Sequence, residues 1–325
     1  MKILVTGGAG FIGSHLCRLL LSQGHSILVL DDLSTGSYEN LDGLEDGRQL
    51  RLIVDSINNR DIVDDCVREA DCVYHLASAV GVRLIIDQPV RTIESIVGGT
   101  EVVLKCCARY RRPFLLTSTS EVYGKGSKVP FCEDDDSVMG ATCRRRWSYA
   151  CAKAMDEFLA LAHWVEAKLP VTICRLFNTV GPRQTGQYGM VVPRFVRQAL
   201  RGDPITVYGD GTQTRCFAHV QDVVNALVKL MECKAAKGRV VNIGNAEEVT
   251  IMQLAERVKS LTGSDSPIKL IPYNEAYEDG FEDMLRRVPS LERAKELIGY
   301  QPTRTLDDIL RDVIAYEQAS SAKRG

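Results

Sequence analysis

Short apolar runs alternate with longer amphipathic stretches over the first half of the chain. Apolar residues at helical spacing predict helices over Ser14–Gln23, Val90–Tyr110 and Trp147–Lys168. Runs rich in valine, isoleucine and leucine predict strands over Lys2–Thr6, Ser26–Leu30, Gln49–Val54, Cys72–Leu76, Pro113–Leu116 and Pro170–Leu176. Strands that alternate with helices in this way predict an α/β fold with a Rossmann-type doubly wound parallel sheet.

The pattern changes after Leu176, where a polar, glycine-rich stretch covers Asn178–Met190. Beyond it we expect helices at Val191–Arg201, Gln221–Glu232 and Ile251–Leu261, and strands at Ile205–Tyr208, Thr214–His219 and Val240–Ile243. We therefore predict two domains. Residues 1–177, with return segments at about 216–243, would form the nucleotide-binding Rossmann domain, and residues 178–325 would mainly form a smaller α/β substrate domain.

Composition narrows the class of protein. The 325 residues carry a formal charge of −2, which gives no electrostatic reason to expect nucleic acid or an anionic membrane as a partner. No run approaches the roughly 20 apolar residues of a membrane span. The 11 cysteines include no C-x-x-C pair and no zinc-like spacing, so we expect no metal, free thiols and a reducing, cytoplasmic environment.

A glycine-rich motif joins the first strand to the first helix. Gly7, Gly10 and Gly13 allow a tight turn, close approach of the backbone to a pyrophosphate, and packing of helix on strand. The N–H groups and dipole at the start of the helix favour phosphate. The motif predicts that a dinucleotide binds here, with Phe11 and Ile12 also in contact.

Acidic and small residues follow the next strands. Asp31 ends the second strand, where a carboxylate accepts hydrogen bonds from a ribose and repels a 2′-phosphate, which favours NAD over NADP. Asp55 and Ser56 follow the third strand, at the expected place of the adenine. Leu76 ends the fourth strand and Ala77 follows it, and small side chains after this strand would let the backbone approach the cofactor.

Tyr149 and Lys153 stand four positions apart on the predicted helix Trp147–Lys168, so they share one face. An ammonium near a phenol favours the phenolate, which can take a proton from a sugar hydroxyl while a nicotinamide accepts the hydride. The spacing alone is equally that of an amphipathic helix with one exposed lysine, so the assignment depends on other motifs.

Four motifs occur in a fixed order: the glycine motif, the hydroxyl-rich strand end Thr117–Ser120, Tyr149-x-x-x-Lys153, and Arg175-Leu-Phe-Asn178-x-x-Gly-Pro-Arg183. Together they resemble the extended short-chain dehydrogenase/reductase family that acts on nucleotide sugars, from Lys2 to about Tyr316. The resemblance implies a UDP-sugar as substrate and NAD as cofactor, with Tyr149 and Lys153 also in contact with the NAD. It also implies a homodimer in which Val90–Tyr110 and Trp147–Lys168 of each subunit form a four-helix bundle.

The resemblance also implies roles at the sugar. Thr119 would hydrogen-bond the 4-hydroxyl beside Tyr149, while Ser120 and Glu121 would face C5 and its carboxyl group. Arg215 corresponds to an arginine that holds the pyrophosphate in epimerases and lies by the sugar carboxyl in decarboxylases, and Arg287 would grip the UDP phosphates. The full substrate set implied is Asn178, Val192, Arg194, Tyr208, Arg215 and Arg287.

The residues after Thr119 bear on the reaction. The motif Thr119-Ser120-Glu121 resembles the Thr-Ser-Glu of UDP-glucuronate decarboxylases. Likewise, Arg146-Trp147-x-Tyr149 resembles the corresponding motif of a decarboxylase in a bacterial lipid A pathway. We therefore expect an NAD-dependent UDP-glucuronate decarboxylase that gives UDP-xylose or UDP-4-keto-pentose. The alternatives are a 4-epimerase of a UDP-hexose or UDP-hexuronate, a nucleotide-sugar 4,6-dehydratase, which also carries a glutamate here, and a non-enzymatic NAD sensor, which commonly lacks the tyrosine–lysine pair.

Two positions depart from the family pattern. Ile96 stands where the family usually has an asparagine, four residues before Thr100 in the predicted helix Val90–Tyr110. This departure puts a polar role at position 96 in doubt. Ser290 replaces the usual aspartate after Pro289, and serine also caps helices.

Overall fold

The computed structural model describes residues 1–44, 49–78, 89–185, 190–276, 284 and 286–322. Within these ranges, no helix combines the length and the apolar character needed to cross a membrane. The strands, in chain order, are β1 (Lys2–Thr6), β2 (Ser26–Asp31), β3 (Leu50–Val54), β4 (Cys72–His75), β5 (Phe114–Thr119), β6 (Val171–Leu176), β7 (Thr179–Val180), β8 (Ile205–Tyr208), β9 (Thr214–Cys216), β10 (Ala218–His219), β11 (Arg239–Ile243), β12 (Glu248–Thr250) and β13 (Ile268–Ile271).

The helices are placed between the strands much as the sequence predicts. They are α1 (Phe11–Ser22), α2 (Arg60–Glu69), α3 (Pro89–Ile93), α4 (Gly99–Tyr110), α5 (Arg146–Ala167), α6 (Val191–Arg201), α7 (Val220–Glu232), α8 (Ile251–Thr262), α9 (Tyr273–Ala276), α10 (Glu292–Ile298) and α11 (Leu306–Ala322). The predicted helix Val90–Tyr110 is divided, because a π-helical turn at Glu94–Gly98 lies between α3 and α4.

Seven strands form one parallel sheet in the order β11-β6-β5-β4-β1-β2-β3. The strand order reverses at β1, which pairs with β2 on one side and with β4 on the other. In an open sheet of this kind, ligands bind outside the carboxyl ends of the strands at the point of reversal. The predicted Rossmann-type doubly wound sheet is therefore confirmed.

Each face of the sheet has its own apolar core because side chains of a strand point alternately to opposite faces. Along β1, Ile3 and Val5 pack in the core shared with α1 and α7, whereas Leu4 packs in the core shared with α2 and α4. A third core joins α6, α8 and α11, with Phe195, Leu254 and Ile309 among its buried residues.

The chain leaves the seven-stranded sheet after β6 and returns to it at β11. β11 pairs in parallel with β6, and α7 packs on α1. These contacts support the division that we propose, in which residues 1–177 and return segments at about 216–243 form one domain and the remainder of 178–325 forms the other.

The neighbouring strands predicted at Ile205–Tyr208 and Thr214–His219 do not pair with each other. β8 pairs in parallel with β13, whereas β9 pairs antiparallel with β12. The predicted strand Thr214–His219 is interrupted at Phe217, and its second part, β10, pairs with β7. Local sequence does not determine these partners, because they come from segments far along the chain.

Candidate functional site

One pocket of about 670 Å³ opens at the carboxyl ends of β1, β2, β4 and β5 and extends to α6 and β8. Ser56 and Lys153 do not line it, although both are predicted site residues. The other predicted residues all do: Gly7, Gly10, Phe11, Ile12, Gly13, Asp31, Asp55, Leu76, Ala77, Thr119, Ser120, Glu121, Tyr149, Asn178, Val192, Arg194, Tyr208, Arg215 and Arg287. The fold therefore brings residues from distant motifs to one cavity.

The glycine loop leaves no room for a side chain at Gly7 or Gly13. Gly7 has a φ of +71°, and a Cβ on it would lie 2.7 Å from the Ala77 nitrogen. A Cβ on Gly13 would lie 2.1 Å from the Gly7 carbonyl oxygen, because α1 packs directly on the loop. Gly10 precedes the first residue of α1, and no described side chain caps the helix. The N–H groups of the first turn can therefore bind an anion such as a pyrophosphate.

Asp31 is buried at the end of β2. Its two carboxylate oxygens accept hydrogen bonds from the N–H groups of Ala9 and Leu33, both at 2.9 Å. Burial raises the pKa of this carboxyl group, while the two N–H groups oppose the rise. Each carboxylate oxygen can accept more than one hydrogen bond, so Asp31 can also accept from a ribose. The glycine loop and Asp31 thus fit a dinucleotide.

Asp55 lines the pocket at the end of β3, while Ser56 lies behind it. The Asp55 Oδ1 accepts a hydrogen bond from the Ser56 N–H at 2.7 Å. Ser56 in turn accepts at its hydroxyl from the Asn58 N–H at 3.2 Å. Ser56 therefore orders the turn that presents Asp55.

Tyr149 lies in the first turn of α5, with its ring largely buried. Burial, followed by the charge of Glu121, raises the pKa of the phenol, whereas the side chains of Thr119 and Ser78 act to lower it. Ile96, from the π-helical turn, packs against Tyr149 and Ala152. The departure at Ile96 thus places an apolar side chain against the candidate base.

Lys153 is buried beside the pocket. Its ammonium donates a hydrogen bond to Asp156 Oδ2 at 2.9 Å, and both side chains are at most 2% exposed. We expected the lysine to lower the pKa of Tyr149, but its charge is balanced by Asp156, and Tyr149 has a raised pKa in this structure. The sequence did not indicate Asp156, because an acid at this helical position resembles part of a solvated face.

Glu121 lies in a 3₁₀ turn, Ser120–Tyr123, directly after β5. The Thr119 hydroxyl oxygen accepts from the Glu121 N–H at 3.3 Å, which caps this turn and leaves the Thr119 hydroxyl proton available. Arg146 donates to Glu121 Oε2 at 3.2 Å, and Arg287 forms a close ion pair with Oε1.

The charges around Glu121 decide its ionisation. Burial favours the neutral acid, but Arg287, Arg146 and Arg215 outweigh it, so the pKa of Glu121 lies below its ordinary value. The carboxylate is therefore ionised and flanked by guanidinium groups at the end of the pocket nearest Tyr149. Arg146 belongs to a motif noted in the sequence, but it was not among the predicted site residues.

A buried polar network lies beneath this turn. Ser118 donates to Glu157, which also accepts a bidentate pair of hydrogen bonds from Arg175. The Arg175 guanidinium stacks 4.7 Å from the centroid of the Tyr123 ring, and the Tyr123 hydroxyl donates to Asn242 Oδ1 at 2.7 Å. The network ties the Glu121 turn to β6 and β11.

The other end of the pocket combines a guanidinium with an aromatic ring. The Arg194 guanidinium lies 3.9 Å from the centroid of the Tyr208 ring and donates to the Thr206 carbonyl at 3.2 Å. The Asn178 amide donates to the Cys216 carbonyl at 2.9 Å. Arg215, which donates to the Thr214 carbonyl at 2.7 Å, lies between the two ends, because its charge also acts on Glu121. Such a set suits the phosphates and base of a nucleotide.

Sequence reasoning missed several residues of the pocket. Arg91, Thr92 and Ser95, from α3 and the π-helical turn, line it, as do Gln184 and Gln213. Within the described ranges, no group of three or more His, Cys, Asp or Glu side chains could hold a metal ion. We expect substrate specificity to depend on the shape of the loops near 80–90, 125–146 and 185–195; residues 79–88 and 186–189 of these loops lie outside the described residues.

Comparisons with known proteins agree on one family. The model of the "NAD dependent epimerase/dehydratase family" matches residues 3–244. A UDP-N-acetyl-alpha-D-glucosaminuronate decarboxylase of Bacillus cytotoxicus is 39% identical over 97% of both chains, and UDP-glucuronic acid decarboxylase 1 of Danio rerio is 37% identical over 97% of this chain and 72% of that protein. The crystal structure of UDP-glucuronic acid 4-epimerase from Bacillus cereus, in complex with UDP-glucuronic acid and NAD, superposes with a TM-score of 0.88 at 29% identity, covering 98% of this chain and 100% of that one.

Proposed function

This chain belongs to the NAD dependent epimerase/dehydratase family, and we propose that it is a UDP-glucuronate decarboxylase that gives UDP-xylose or UDP-4-keto-pentose. NAD is its cofactor, held by the glycine loop 7–13, by Asp31 and Asp55, and by the backbone at Leu76 and Ala77. When bound, NAD would supply a hydride acceptor for C4 of the sugar; the hydride returns to the sugar if UDP-xylose is the product and leaves as NADH if UDP-4-keto-pentose is.

The observation that carries the proposal is the Glu121 carboxylate, ionised and paired with Arg146 and Arg287 two residues after Thr119. If Thr119 binds the 4-oxygen, the following turn faces C5 and its substituent. A 4-epimerase of a neutral sugar changes only C4 and has no need of charged groups there. A 4,6-dehydratase needs a base that takes the C5 proton, and a carboxylate with a lowered pKa is a weak base.

Tyr149 and Thr119 act at C4. The Tyr149 phenolate takes the proton of the 4-hydroxyl as C4 is oxidised, and the Thr119 hydroxyl hydrogen-bonds the 4-oxygen. Burial and Glu121 raise the pKa of Tyr149, and the side chains of Thr119 and Ser78 oppose the rise. We propose that Lys153, one turn further along the same helix, adds positive charge that favours the phenolate although it is paired with Asp156.

Glu121 and the arginines act at C5. Oxidation at C4 makes a β-keto acid. Because Glu121 pairs with Arg146 and Arg287, these guanidinium groups do not hold the substrate carboxylate in its charged form, which favours departure as neutral carbon dioxide. The electron pair left at C5 is delocalised onto the 4-oxygen as an enolate, which Arg215 and Arg287 stabilise. A solvent-derived proton then adds at C5. We thus assign Arg287 to the sugar end instead of the UDP phosphates, because its guanidinium pairs with Glu121.

The UDP moiety occupies the other end of the pocket. Arg194 and Tyr208 present a stacked guanidinium and ring, and Val192 adds an apolar contact from the first turn of α6. Asn178 contributes from the loop after β6, and Ser120 supports the turn at the sugar. These roles rest on position in the pocket and on the type of side chain.

A UDP-glucuronate 4-epimerase is the second candidate. The structure from Bacillus cereus, which holds UDP-glucuronic acid and NAD, superposes over nearly the whole chain. Both reactions begin with oxidation of the same acid at C4, and they differ in whether the carboxylate is retained.

The test incubates the purified protein with UDP-glucuronate and, separately, with UDP-N-acetylglucosaminuronate, and measures the products by mass. The second acid is included because the Bacillus cytotoxicus relative is named for it. Loss of carbon dioxide from either acid supports decarboxylation and identifies the preferred C2 substituent. Loss of water would indicate a dehydratase, and an unchanged mass with altered chromatography would indicate the epimerase.

We further propose a cytoplasmic homodimer. All 11 cysteines are free, as expected in a reducing compartment. On α5, Phe158 is 70% exposed and Val165 63%, and on α3 Val90 is 67% exposed. These apolar side chains lie on the two helices that would form the four-helix bundle, and burial against a second copy would remove them from water.

A further inference from the structure

The candidate catalytic lysine has a buried carboxylate partner on its own helix. Lys153 and Asp156 are three positions apart on α5, so they share one face, and their side chains are at most 2% exposed. Asp156 Oδ2 is the one hydrogen-bond acceptor that Lys153 has among the described residues. An ammonium has three N–H donors, so two remain for the cofactor end of the site.

Asp156 itself depends on this pairing. Its second oxygen, Oδ1, has no hydrogen-bond partner within the described ranges. Burial raises the pKa of Asp156, while Lys153 and the Thr100 hydroxyl favour the carboxylate. A buried charge is tolerated only when it is paired, so each member of this pair keeps the other ionised.

A layer of buried polar side chains lies behind the pair. The Ala77 N–H donates to Thr6 Oγ1 at 3.3 Å, Thr6 Oγ1 lies 2.8 Å from His75 Nδ1, and His75 Nε2 lies 3.1 Å from Thr100 Oγ1. Burial, with Lys153, lowers the pKa of His75 to about 3, so the imidazole is neutral.

The order of donors in this layer depends on the tautomer of His75. With the His75 proton on Nε2, Thr6 donates to Nδ1 and Nε2–H donates to Thr100. The Thr100 hydroxyl proton is then available to Asp156. The layer connects the cofactor-facing backbone at Ala77 with the carboxylate that holds Lys153.

We propose that Asp156 is a positioning residue, which holds the Lys153 ammonium charged and in place for the cofactor and for Tyr149. This rests on the proposed function only in that Tyr149 and Lys153 take part in oxidation at C4. Asp156 touches neither substrate nor cofactor and acts through Lys153.

The other charged and titratable groups near the pair cannot replace Asp156. Glu121, from the turn after β5, is paired with Arg146 and Arg287. Glu157, on α5, is paired with Arg175, and His75, from β4, is neutral. Removing the Asp156 charge therefore leaves an unbalanced ammonium in a buried setting.

The test compares Asp156→Asn, Asp156→Glu and Thr100→Val with the unmodified protein. Glu166→Gln is the control, because it removes a carboxylate from an exposed position of the same helix. The first measurement is the NAD that each protein retains after gel filtration at about pH 7 and about pH 9, below the ordinary pKa of lysine. The second is the pH dependence of NADH formation in a single turnover.

We expect the unmodified protein and Glu166→Gln to retain NAD equally at both pH values. Asp156→Asn should retain at least about threefold less NAD, because the Lys153 ammonium is left buried without its partner. Its NADH profile should move to lower pH on the limb that reports the Tyr149 phenol, since loss of the Asp156 charge lowers the pKa of Tyr149. Asp156→Glu should restore both properties, and Thr100→Val should give the same shifts with smaller size.

If Asp156→Asn retains as much NAD as the unmodified protein and has the same pH profile of NADH formation, the proposal is overturned. If Asp156→Asn does not fold, Thr100→Val decides, and unshifted behaviour in that variant would overturn it as well. NAD retention requires no substrate. A protein that shows the predicted NAD loss but fails to decarboxylate either acid would defeat the proposed function and leave the role of Asp156 supported.

Discussion

At the scale of single residues, Glu121 and Tyr149 divide the proposed chemistry between C5 and C4. Glu121→Gln should lower formation of the decarboxylated product by at least about tenfold, the low end of what a positioned charged group contributes. Oxidation at C4 should continue, visible as NADH absorbance, because Thr119 and Tyr149 are unchanged.

Tyr149→Phe is the matched comparison. It should lower both product formation and NADH absorbance, reducing turnover by on the order of 10²–10⁴ with little effect on substrate affinity. Glu247→Gln, at an exposed position outside the main pocket, serves as the control for loss of a carboxylate. Normal product formation in Glu121→Gln would remove the main reason for favouring decarboxylation.

Residue-level prediction from the sequence succeeded where a motif fixes backbone geometry. Gly7 and Gly13 can be recognised because only glycine fits against Ala77 and the Gly7 carbonyl. Asp156 and Glu157 could not be recognised, because acids on an amphipathic helix are usually exposed and only tertiary packing buries them. The partner of Arg287 was likewise unforeseen, since its pairing with Glu121 joins positions 166 residues apart.

At the scale of secondary-structure elements, the buried pair Glu157–Arg175 joins α5 to β6 under the Glu121 turn. Removing one partner of a buried ion pair leaves an uncompensated charge, so Glu157→Gln should lower the free energy of unfolding by about 3–5 kcal/mol, measured by urea denaturation. Glu101→Gln, which breaks an exposed pair with Lys105 on α4, should leave it nearly unchanged. Equal effects of the two substitutions would show that the buried network does not stabilise this junction.

The element boundaries show what apolar periodicity can and cannot predict. β5 extends through Thr119, three residues beyond the predicted end at Leu116, because Ser118 and Thr119 pair with Arg175 and Leu176 of β6 although they are polar. The π-helical turn was not predicted, since its extra residue per turn falls within a run that otherwise has helical spacing. α2, α10 and α11 were not predicted either, although Ile309, Leu310 and Val313 have helical spacing.

At the scale of the whole molecule, the apolar surface of α3 and α5 bears on assembly. Phe158→Glu should convert the proposed dimer to a monomer, because the charge would be buried in the helix bundle, and light scattering measures the mass directly. Leu270→Glu is the matched control, since Leu270 is 49% exposed on β13, away from the proposed bundle.

A dimer that persists in Phe158→Glu would contradict the four-helix bundle.

The overall sheet could be predicted because each strand and helix is a local pattern, and the right-handed crossover rule limits how such units connect. The pairings of β8 with β13 and of β9 with β12 could not, because nothing local in these short segments specifies a partner.

The central claim is that the chain oxidises UDP-glucuronate at C4 and then removes its carboxyl group. The most direct measurement is the reaction of the unmodified protein with UDP-glucuronate in heavy water, followed by mass and NMR analysis of the nucleotide sugar. Decarboxylation predicts a UDP-pentose or UDP-4-keto-pentose with one solvent deuterium at C5, because the enolate must be protonated there. An intact six-carbon acid, epimerised at C4 and without deuterium at C5, would contradict the account.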